Sequence, residues 1–166
     1  LEDRIRVPLM TPVEQDELLP PVIVFDIDGT LADSTGLRSP YDYSKVSGDR
    51  VIRATSEVVF SAQSYFYVQE ESEYVPKVVF VSGRDEECRA ETEQWLRDNL
   101  SFNSELYMRK HDDNRHDAVV KREILERDLI PRYHVLGAFD DRLRVLDMWR
   151  ASGIFTFSVN QKEADF

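Results

Sequence analysis

The clearest chemistry in the chain lies in two aspartates that follow an apolar stretch. Asp26 and Asp28 come directly after residues 22–25, an apolar run of strand type. Side chains two residues apart leave a β-strand on the same side, so we expect both carboxylates at the C-terminal end of one strand. Two like charges in one place are costly unless a cation compensates them, and Mg²⁺ combines carboxylate ligands with phosphate oxygens. The pair therefore predicts phosphate chemistry.

A simpler interpretation of these residues is a turn that the aspartates cap and for which Gly29 supplies a positive φ. Two further strand ends favour the chemical interpretation. Ser82 and Arg84 follow the predicted strand 77–81, and a second pair of aspartates follows the predicted strand 133–139. Parallel strands end at one edge of a sheet, so we expect the three ends to meet in one site.

Each residue type at these strand ends has a chemical use. One aspartate can attack phosphorus, and its partner can protonate the leaving oxygen and then activate water. The hydroxyl of Thr30 or Ser82 and nearby backbone amides can bind phosphoryl oxygens. A metal held by the carboxylates can neutralise the charge of the phosphate.

Lys121 is the candidate cation that balances these carboxylates. It lies four residues after Asp117 in a predicted helix, so both side chains project from nearly the same face. An ordinary surface ion pair, worth about 0.3–0.5 kcal/mol, is the alternative interpretation. The apolar neighbours Val120 and Ile124 indicate a partly enclosed position, which favours a functional role.

Composition limits the classes of protein that remain. The chain of 166 residues is 42% hydrophobic, which suits one globular domain. It contains no apolar run of 18 residues and no secretory segment, so no membrane association is predicted. The single cysteine, Cys88, excludes an intrachain disulfide and predicts a reducing, cytoplasmic location. A net charge of −11 excludes a broad nucleic-acid-binding surface but allows one phosphate to be held locally.

The order of elements predicts an α/β fold. Residues 1–21 contain four prolines and are interpreted as a linker or N-terminal arm, and residues 22–166 as the domain. Strands alternate with helices, which predicts a parallel sheet with right-handed crossovers. The expected strands are 22–25, 77–81, 106–108, 133–139 and 154–159; the expected helices are 51–64, 85–99, 113–129 and 142–152; residues 32–48 are expected to form an irregular loop.

The motifs of residues 21–166 resemble a known superfamily. The segment DIDGT, Ser82, Lys121 and the Asp140–Asp141 pair, in that order, resemble the four motifs of the haloacid dehalogenase superfamily of phosphotransferases. The segments VFDIDGTLA, RSPYD, VVFVSGRD, DAVVKREI, FDDR and DMWRASGI are similar to the 3′-phosphatase domain of bacteriophage polynucleotide kinase-phosphatase. The resemblance implies a three-layer, Rossmann-like parallel sheet of the haloacid dehalogenase type, Mg²⁺ as cofactor and a phosphoaspartate intermediate.

The resemblance also implies a role for each candidate residue. Asp26 corresponds to the nucleophile and Asp28 to the general acid and base, with Arg38, Arg84 and Lys121 as further catalytic residues. The implied metal ligands are Asp26, Asp28, Asp140 and Asp141. The implied substrate-binding residues are Thr30, Arg38, Ser82, Gly83, Arg84, Asp117 and Lys121.

The short connections between the motifs leave no room for a large cap domain over the site. An open edge admits a macromolecular end, so the predicted substrates are DNA or RNA 3′-phosphate ends, or nucleoside 3′-phosphates. A small-molecule phosphatase and a catalytically inactive module that binds nucleic-acid ends stay as alternatives. Without a phosphate-binding Gly-x-x-x-x-Gly-Lys-Ser/Thr loop, any 5′-kinase is predicted to lie elsewhere in a longer parent chain. Arg38, Arg84, Arg109 and Arg115 could contact the terminal phosphate or its neighbour, because guanidinium groups suit phosphate oxygens. Taken singly, Arg109 and Arg115 are interpreted as surface residues.

Overall fold

The structure, a computed structural model, describes residues 11–39, 42–68, 75–100 and 104–159. The strands are β1 (Pro21–Phe25), β2 (Ala32–Asp33), β3 (Arg50–Val51), β4 (Lys77–Asp85), β5 (Leu106–Arg109), β6 (His134–Asp140) and β7 (Phe155–Ser158). The helices are α1 (Arg53–Val68), α2 (Arg89–Leu100), α3 (Asp117–Ile124) and α4 (Leu143–Ala151). Five strands form a parallel sheet in the order β5-β4-β1-β6-β7. The predicted α/β class with a parallel sheet is confirmed.

The central position of β1 follows from its apolar sequence, which is buried from both sides. Val22 and Val24 face one hydrophobic cluster, which includes residues of α3 and α4. Phe25 faces a second cluster, which includes Trp95 and Leu96 of α2. Alternate side chains of one strand thus reach two helical layers. β1 also places Asp26, the next residue, at the middle of the C-terminal edge of the sheet.

Several element boundaries differ from the sequence prediction, and those of β4 and of the third helix bear on the site. β4 continues to Asp85 and so contains Ser82, Gly83 and Arg84. The third helix begins at Asp117 rather than 113, because Arg109 Nη1 binds the carbonyl oxygens of Asp113 (2.8 Å) and Arg115 (2.6 Å). Beyond Ile124 this helix widens into a π-helical turn, Leu125–Leu129.

The segment predicted as an irregular loop contains ordered structure. β2 and β3 form an antiparallel ribbon in which Ala32 faces Val51. A 3₁₀ turn, Tyr43–Gly48, lies between them and buries Val46 completely. The ribbon was missed because two residues per strand are too few for a periodic pattern to appear. In the described ranges between β1 and β6 no inserted cap domain occurs, as predicted.

Residues 11–20, which fall in the predicted arm, contact the body of the protein. The amide of Val13 donates to Ser152 O (2.9 Å). The side chain of Gln15 accepts from Val135 N (2.7 Å) and donates to Val135 O (3.2 Å). The domain boundary after residue 21 stays a prediction. Within the residues that the structure describes, no helix is long and apolar enough to cross a membrane.

Candidate active site

A tight turn after β1 separates the two aspartates that were expected to point the same way. The carbonyl oxygen of Ile27 accepts hydrogen bonds from Leu31 N (2.8 Å) and Ala32 N (2.8 Å). Gly29 has φ +80°, and a Cβ there would lie 2.0 Å from Asp141 Oδ2. Glycine is therefore required both by the backbone and by the approach of Asp141.

The carboxylate cluster, formed by Asp26, Asp140 and Asp141, lies at the C-terminal ends of β1 and β6. One oxygen atom from each residue lies within 4.8 Å of the others. Lys121 Nζ donates to Asp26 Oδ1 and to Asp140 Oδ2, at 2.7 Å each. Lys121 is 2% exposed, which excludes the surface ion pair considered from the sequence. Thr30 Oγ1 donates to the other oxygen of Asp26 at 3.3 Å.

Burial and the repulsion between the carboxylates make the charged form of this cluster unfavourable. Burial is the main cause that raises the pKa of Asp26 well above its ordinary value; Lys121 opposes it, and Asp140 and Asp141 add to it. The pKa of Asp141 is raised to about 6, again by burial first and then by Asp140. Burial would lower the pKa of Lys121, but Asp140 and Asp26 outweigh it, so that pKa is raised. Lys121 thus stays protonated and neutralises one of three carboxylates.

The carboxylate cluster fits a hard divalent cation. Its donors are all oxygen atoms, the ligands that Mg²⁺ takes in proteins. Asp141 Oδ1 is buried and makes no hydrogen bond, so it is an acceptor that a cation would satisfy. Three carboxylates with one lysine leave two negative charges, which a divalent ion would cancel. Asp28, the fourth ligand predicted from the sequence, is absent from this group of described side chains.

The Arg–Asp quartet, formed by Asp28, Arg38, Asp49 and Arg84, lies beside the carboxylate cluster. Arg84 holds Asp28 through two bonds, Nε to Oδ2 (2.8 Å) and Nη2 to Oδ1 (2.9 Å). Arg38 Nη2 also donates to Asp28 Oδ1 at 2.9 Å. Asp49 Oδ2 accepts from Arg38 Nη2 (2.6 Å) and from Arg84 Nη2 (2.7 Å).

Within the quartet, the side chains of Arg38, Asp49 and Arg84 are completely buried, and that of Asp28 is 28% exposed. Burial would raise the pKa of Asp28, but the hydrogen bonds and charges of Arg84 and Arg38 outweigh burial and lower it. Asp28 is therefore a carboxylate in this arrangement and is able to accept a proton.

A third group of charges surrounds Asp117. Arg109 and Arg142 both form ion pairs with its carboxylate. Asp117 Oδ1 would lie 2.8 Å from a Cβ at Gly83, so glycine gives this carboxylate room. Arg109 also donates from Nε to Gly83 O at 2.7 Å and is 9% exposed, so its interpretation as a surface residue was wrong. Arg115 is exposed and pairs with Asp113 and Glu123.

The predicted substrate-binding hydroxyls take supporting positions. Thr30 and Ser82 are completely buried. Thr30 bonds to Asp26, as described above, and Ser82 Oγ accepts from Arg84 N at 3.1 Å. In this arrangement both residues fix the groups that face the cleft.

An open cleft of about 1120 Å³ lies over the carboxylate cluster, the quartet and Asp117.

The sequence interpretation missed Asp49 and Arg142. Asp49 belongs to no motif that was considered. However, Arg38 and Arg84 were both predicted to lie near Asp28, and two buried arginines need a second carboxylate to balance their charge. Arg142 directly follows the Asp140–Asp141 pair, in the segment FDDR, and this position was its only signal.

Comparison with known proteins gives a consistent group of matches. Residues 20–166 match the family model described as "Polynucleotide kinase PNKP phosphatase domain". A curated protein of Autographa californica nuclear polyhedrosis virus, named "Putative bifunctional polynucleotide kinase/RNA ligase", is 31% identical over 134 residues. That match spans 79% of this chain but only 18% of the viral protein.

Solved structures extend the comparison. A chain of the "Pnkp1/Rnl/Hen1 RNA repair complex" matches 99% of this chain with a TM-score of 0.79 and 30% identity, and the match covers 50% of that longer chain. A Thermotoga maritima protein named as a putative beta-phosphoglucomutase matches with a TM-score of 0.50 and 15% identity, over 88% of each chain. At that identity the second match concerns the fold alone.

Proposed function

Because the chain belongs to the family of polynucleotide kinase PNKP phosphatase domains, we propose that it removes a terminal 3′-phosphate from DNA or RNA. The expected products are a 3′-hydroxyl end and inorganic phosphate. The observation that carries the proposal is the position of Asp26. Its carboxylate is fixed by Lys121 and Thr30 at the end of the central strand, and it lines the open cleft.

The first step is an in-line attack of an Asp26 carboxylate oxygen on phosphorus. The bond between phosphorus and the substrate O3′ breaks, and Asp28 gives a proton to that oxygen. Asp28 must be protonated before this step, and weaker contact with Arg38 or Arg84 would favour its protonation because these arginines lower its pKa. Lys121 keeps Asp26 in place and balances its charge.

The second step releases the phosphate. Water attacks the phosphorus of the aspartyl phosphate, Asp28 takes a proton from this water, and the bond between phosphorus and Asp26 breaks. Asp28 is the group available to take this proton, because it is left as a carboxylate by the first step, and Arg38 and Arg84 hold it in position. The second step thereby restores Asp26 as a carboxylate and Asp28 as an acid.

We propose that Mg²⁺ binds to Asp26, Asp140 and Asp141. When bound, it would supply charge neutralisation for the phosphoryl oxygens. Asp28 enters this proposal as a proton carrier, since its carboxylate is engaged by arginines. The side chains of Arg142 and Arg109, which meet at Asp117, would border the phosphate position.

A companion activity is proposed from the names of the relatives. The viral relative is named as a kinase and RNA ligase, and the solved relative belongs to a complex named for RNA repair. This chain spans about half of the solved chain and less than a fifth of the viral protein. We therefore expect it to act beside a 5′-kinase and a ligase in the cytoplasm, on ends that a ligase then joins.

The decisive experiment measures phosphate release from two oligonucleotides of one sequence. One carries a 3′-phosphate and the other a 5′-phosphate, and each is assayed with Mg²⁺ and with EDTA. We expect release only from the 3′-phosphate and only with Mg²⁺. Asp26→Asn, which keeps the shape of the side chain, should lower the rate by at least about 10⁴-fold.

Two results would contradict this function. Faster hydrolysis of a sugar phosphate than of the 3′-phosphate oligonucleotide would indicate a small-molecule phosphatase. Binding of the oligonucleotide without any phosphate release would indicate an inactive module that recognises ends. A single cooperative thermal unfolding transition of Asp26→Asn serves as the control that the variant is folded.

A further inference from the structure

The charges that line the cleft leave little attraction for a nucleic-acid backbone. Among the described residues, seven carboxylates and seven lysine or arginine side chains line it, so their formal charges cancel. Two arginines that line it are paired: Arg50 with Asp33 (2.9 Å), and Arg115 with Asp113 (2.6 Å). Backbone binding requires cations that can replace the counterions of the phosphates. The cleft therefore offers its attraction for an anion at one point, beside the carboxylate cluster, where Lys121 lies and Mg²⁺ would bind.

Contacts beyond the terminal phosphate must then be largely uncharged, and Tyr43 is placed to make one. It lines the cleft and is half-buried, with part of its side chain packed against the core cluster that includes Trp95. Among the described residues no hydrogen-bond partner of its hydroxyl is found. Burial raises the pKa of that hydroxyl; Arg109 opposes this effect, and Asp28 and Asp117 add to it. Asp28 and Asp117 line the same cleft as the phenol ring.

Tyr43 belongs to a turn that is anchored in the core of the protein. It opens the 3₁₀ turn Tyr43–Gly48, and Val46 of that turn is completely buried. The turn ends at Asp49, whose amide donates to Val46 O (3.2 Å) and whose carboxylate belongs to the Arg–Asp quartet. An aromatic side chain held rigidly in a cleft loses little conformational entropy when a flat group stacks on it.

We propose that Tyr43 stacks on the terminal base of the substrate, and that recognition ends with this one nucleotide. The inference rests on the proposed function, since it takes the 3′-phosphate to lie at Asp26. Stacking on an aromatic ring tolerates every base, because every base has a π-face. The protein would thereby select substrates in which a nucleoside carries the phosphate, and it would not prefer long strands over short ones.

The first test compares two dinucleotides that both carry a 3′-phosphate. In one the terminal residue has its base, and in the other this residue is abasic. We expect the wild-type protein to prefer the base-bearing substrate about tenfold in kcat/KM, mainly through KM. Tyr43→Phe should keep this preference, whereas in Tyr43→Leu the kcat/KM for the base-bearing substrate should fall to that for the abasic one.

Three outcomes would overturn the inference. Equal losses on both substrates in Tyr43→Leu would indicate that the residue only supports the fold. A preference that survives in Tyr43→Leu would place the base elsewhere. A lack of phosphate release from both substrates in the wild type would overturn the proposed function itself, and this inference with it.

The second test varies the length of the strand. A dinucleotide and a dodecanucleotide, each with a 3′-phosphate, should differ by less than about threefold in kcat/KM. Raising the salt concentration should change kcat/KM equally for the two substrates, because the protein would make charged contacts only to the terminal phosphate. A dodecanucleotide that is tenfold better at low salt, and loses this advantage at high salt, would overturn the one-nucleotide limit.

Discussion

Asp26 and Asp28 are two residues apart, yet their carboxylates lie in opposite electrostatic environments. In the carboxylate cluster, Asp26 shares one buried lysine with Asp140, beside the unbonded oxygen of Asp141. In the Arg–Asp quartet, two arginines match the two carboxylates. The pKa of Asp26 is raised and that of Asp28 is lowered. The charges around an aspartate, rather than its place in a motif, therefore decide its role. A carboxylate without enough cationic neighbours favours binding of a metal ion, whereas a carboxylate paired with arginines is already neutralised.

The strongest test of this comparison is to remove Lys121, the lysine that donates to Asp26 and Asp140 in the carboxylate cluster. Lys121→Met leaves three acidic groups without their cation, so we expect a loss of about 3–5 kcal/mol in the free energy of unfolding. Activity should fall to the level of Asp26→Asn. Urea unfolding in EDTA and phosphate release measure the two effects. Lys45→Met, at a lysine that is 66% exposed, is the matched control; a similar small effect of both variants would contradict the distinction.

Removing a carboxylate from the quartet should have the next largest effect. Asp49→Asn leaves two arginines with one aspartate, but the amide oxygen still accepts a hydrogen bond. We expect a loss of about 2 kcal/mol in the free energy of unfolding and a lower kcat, because Arg38 and Arg84 lose their common anchor. Asp42→Asn, at the exposed start of the same turn, serves as control. Full activity of Asp49→Asn would mean that the quartet does not position Asp28.

Alanine substitutions at two glycines distinguish the effect of backbone strain from that of a steric clash with the carboxylate cluster. Gly29 and Gly36 both have positive φ, +80° and +73°, so alanine costs each about 1 kcal/mol. Only at Gly29 would the new Cβ meet Asp141, since nothing lies within 4 Å of a Cβ at Gly36. We expect Gly29→Ala to weaken Mg²⁺ binding, measured by calorimetry, and Gly36→Ala to leave it unchanged. Equal Mg²⁺ affinities of the two variants would contradict the close approach of Asp141.

The smallest expected effect concerns the pH dependence of stability, to which Asp141 and Asp28 should contribute with opposite sign. The pKa of Asp141 is raised to about 6, so in EDTA this group makes the protein more stable as pH falls through 6 towards the ordinary value of 3.8. The pKa of Asp28 is lowered, so its contribution is complete above 3.8 and is lost as pH falls below that value.

Melting temperatures from pH 7 to 3, in EDTA, measure both trends. Between pH 7 and 5 the wild type should gain on the order of 1 kcal/mol relative to Asp141→Asn. Below pH 4 it should lose stability relative to Asp28→Asn. Parallel curves for the wild type and both variants would mean that the two regions do not differ in this way.

The sequence predicted those parts of the site that depend on strand ends. Asp26, Arg84 and the Asp140–Asp141 pair lie at or beside the ends of adjacent parallel strands, so topology alone brings them together. Lys121 was predicted from its spacing and its apolar neighbours. The pairing of β1 with β4 and β6 then fixes their distances.

Other features depend on contacts between distant segments and could not be predicted. Asp49 matters only because the chain brings it to Arg38 and Arg84, which are 11 and 35 residues away. The divergence of Asp28 from Asp26 follows from the turn that begins at Ile27, whereas strand alternation predicted a common direction. Arg109 looked like a surface residue because its partners, Gly83 O and the carbonyls before α3, belong to tertiary structure.

The Arg–Asp quartet also has an evolutionary consequence. Its two arginines and two aspartates cancel in charge, and three of the four side chains are completely buried. A substitution at any one position leaves an unpaired charge in the interior, which is strongly destabilising. Divergent sequences can therefore leave this arrangement only through compensated changes. Around Asp28, positions 38, 49 and 84 are expected to change together or not at all, although 11 and 35 residues separate Asp49 from Arg38 and Arg84.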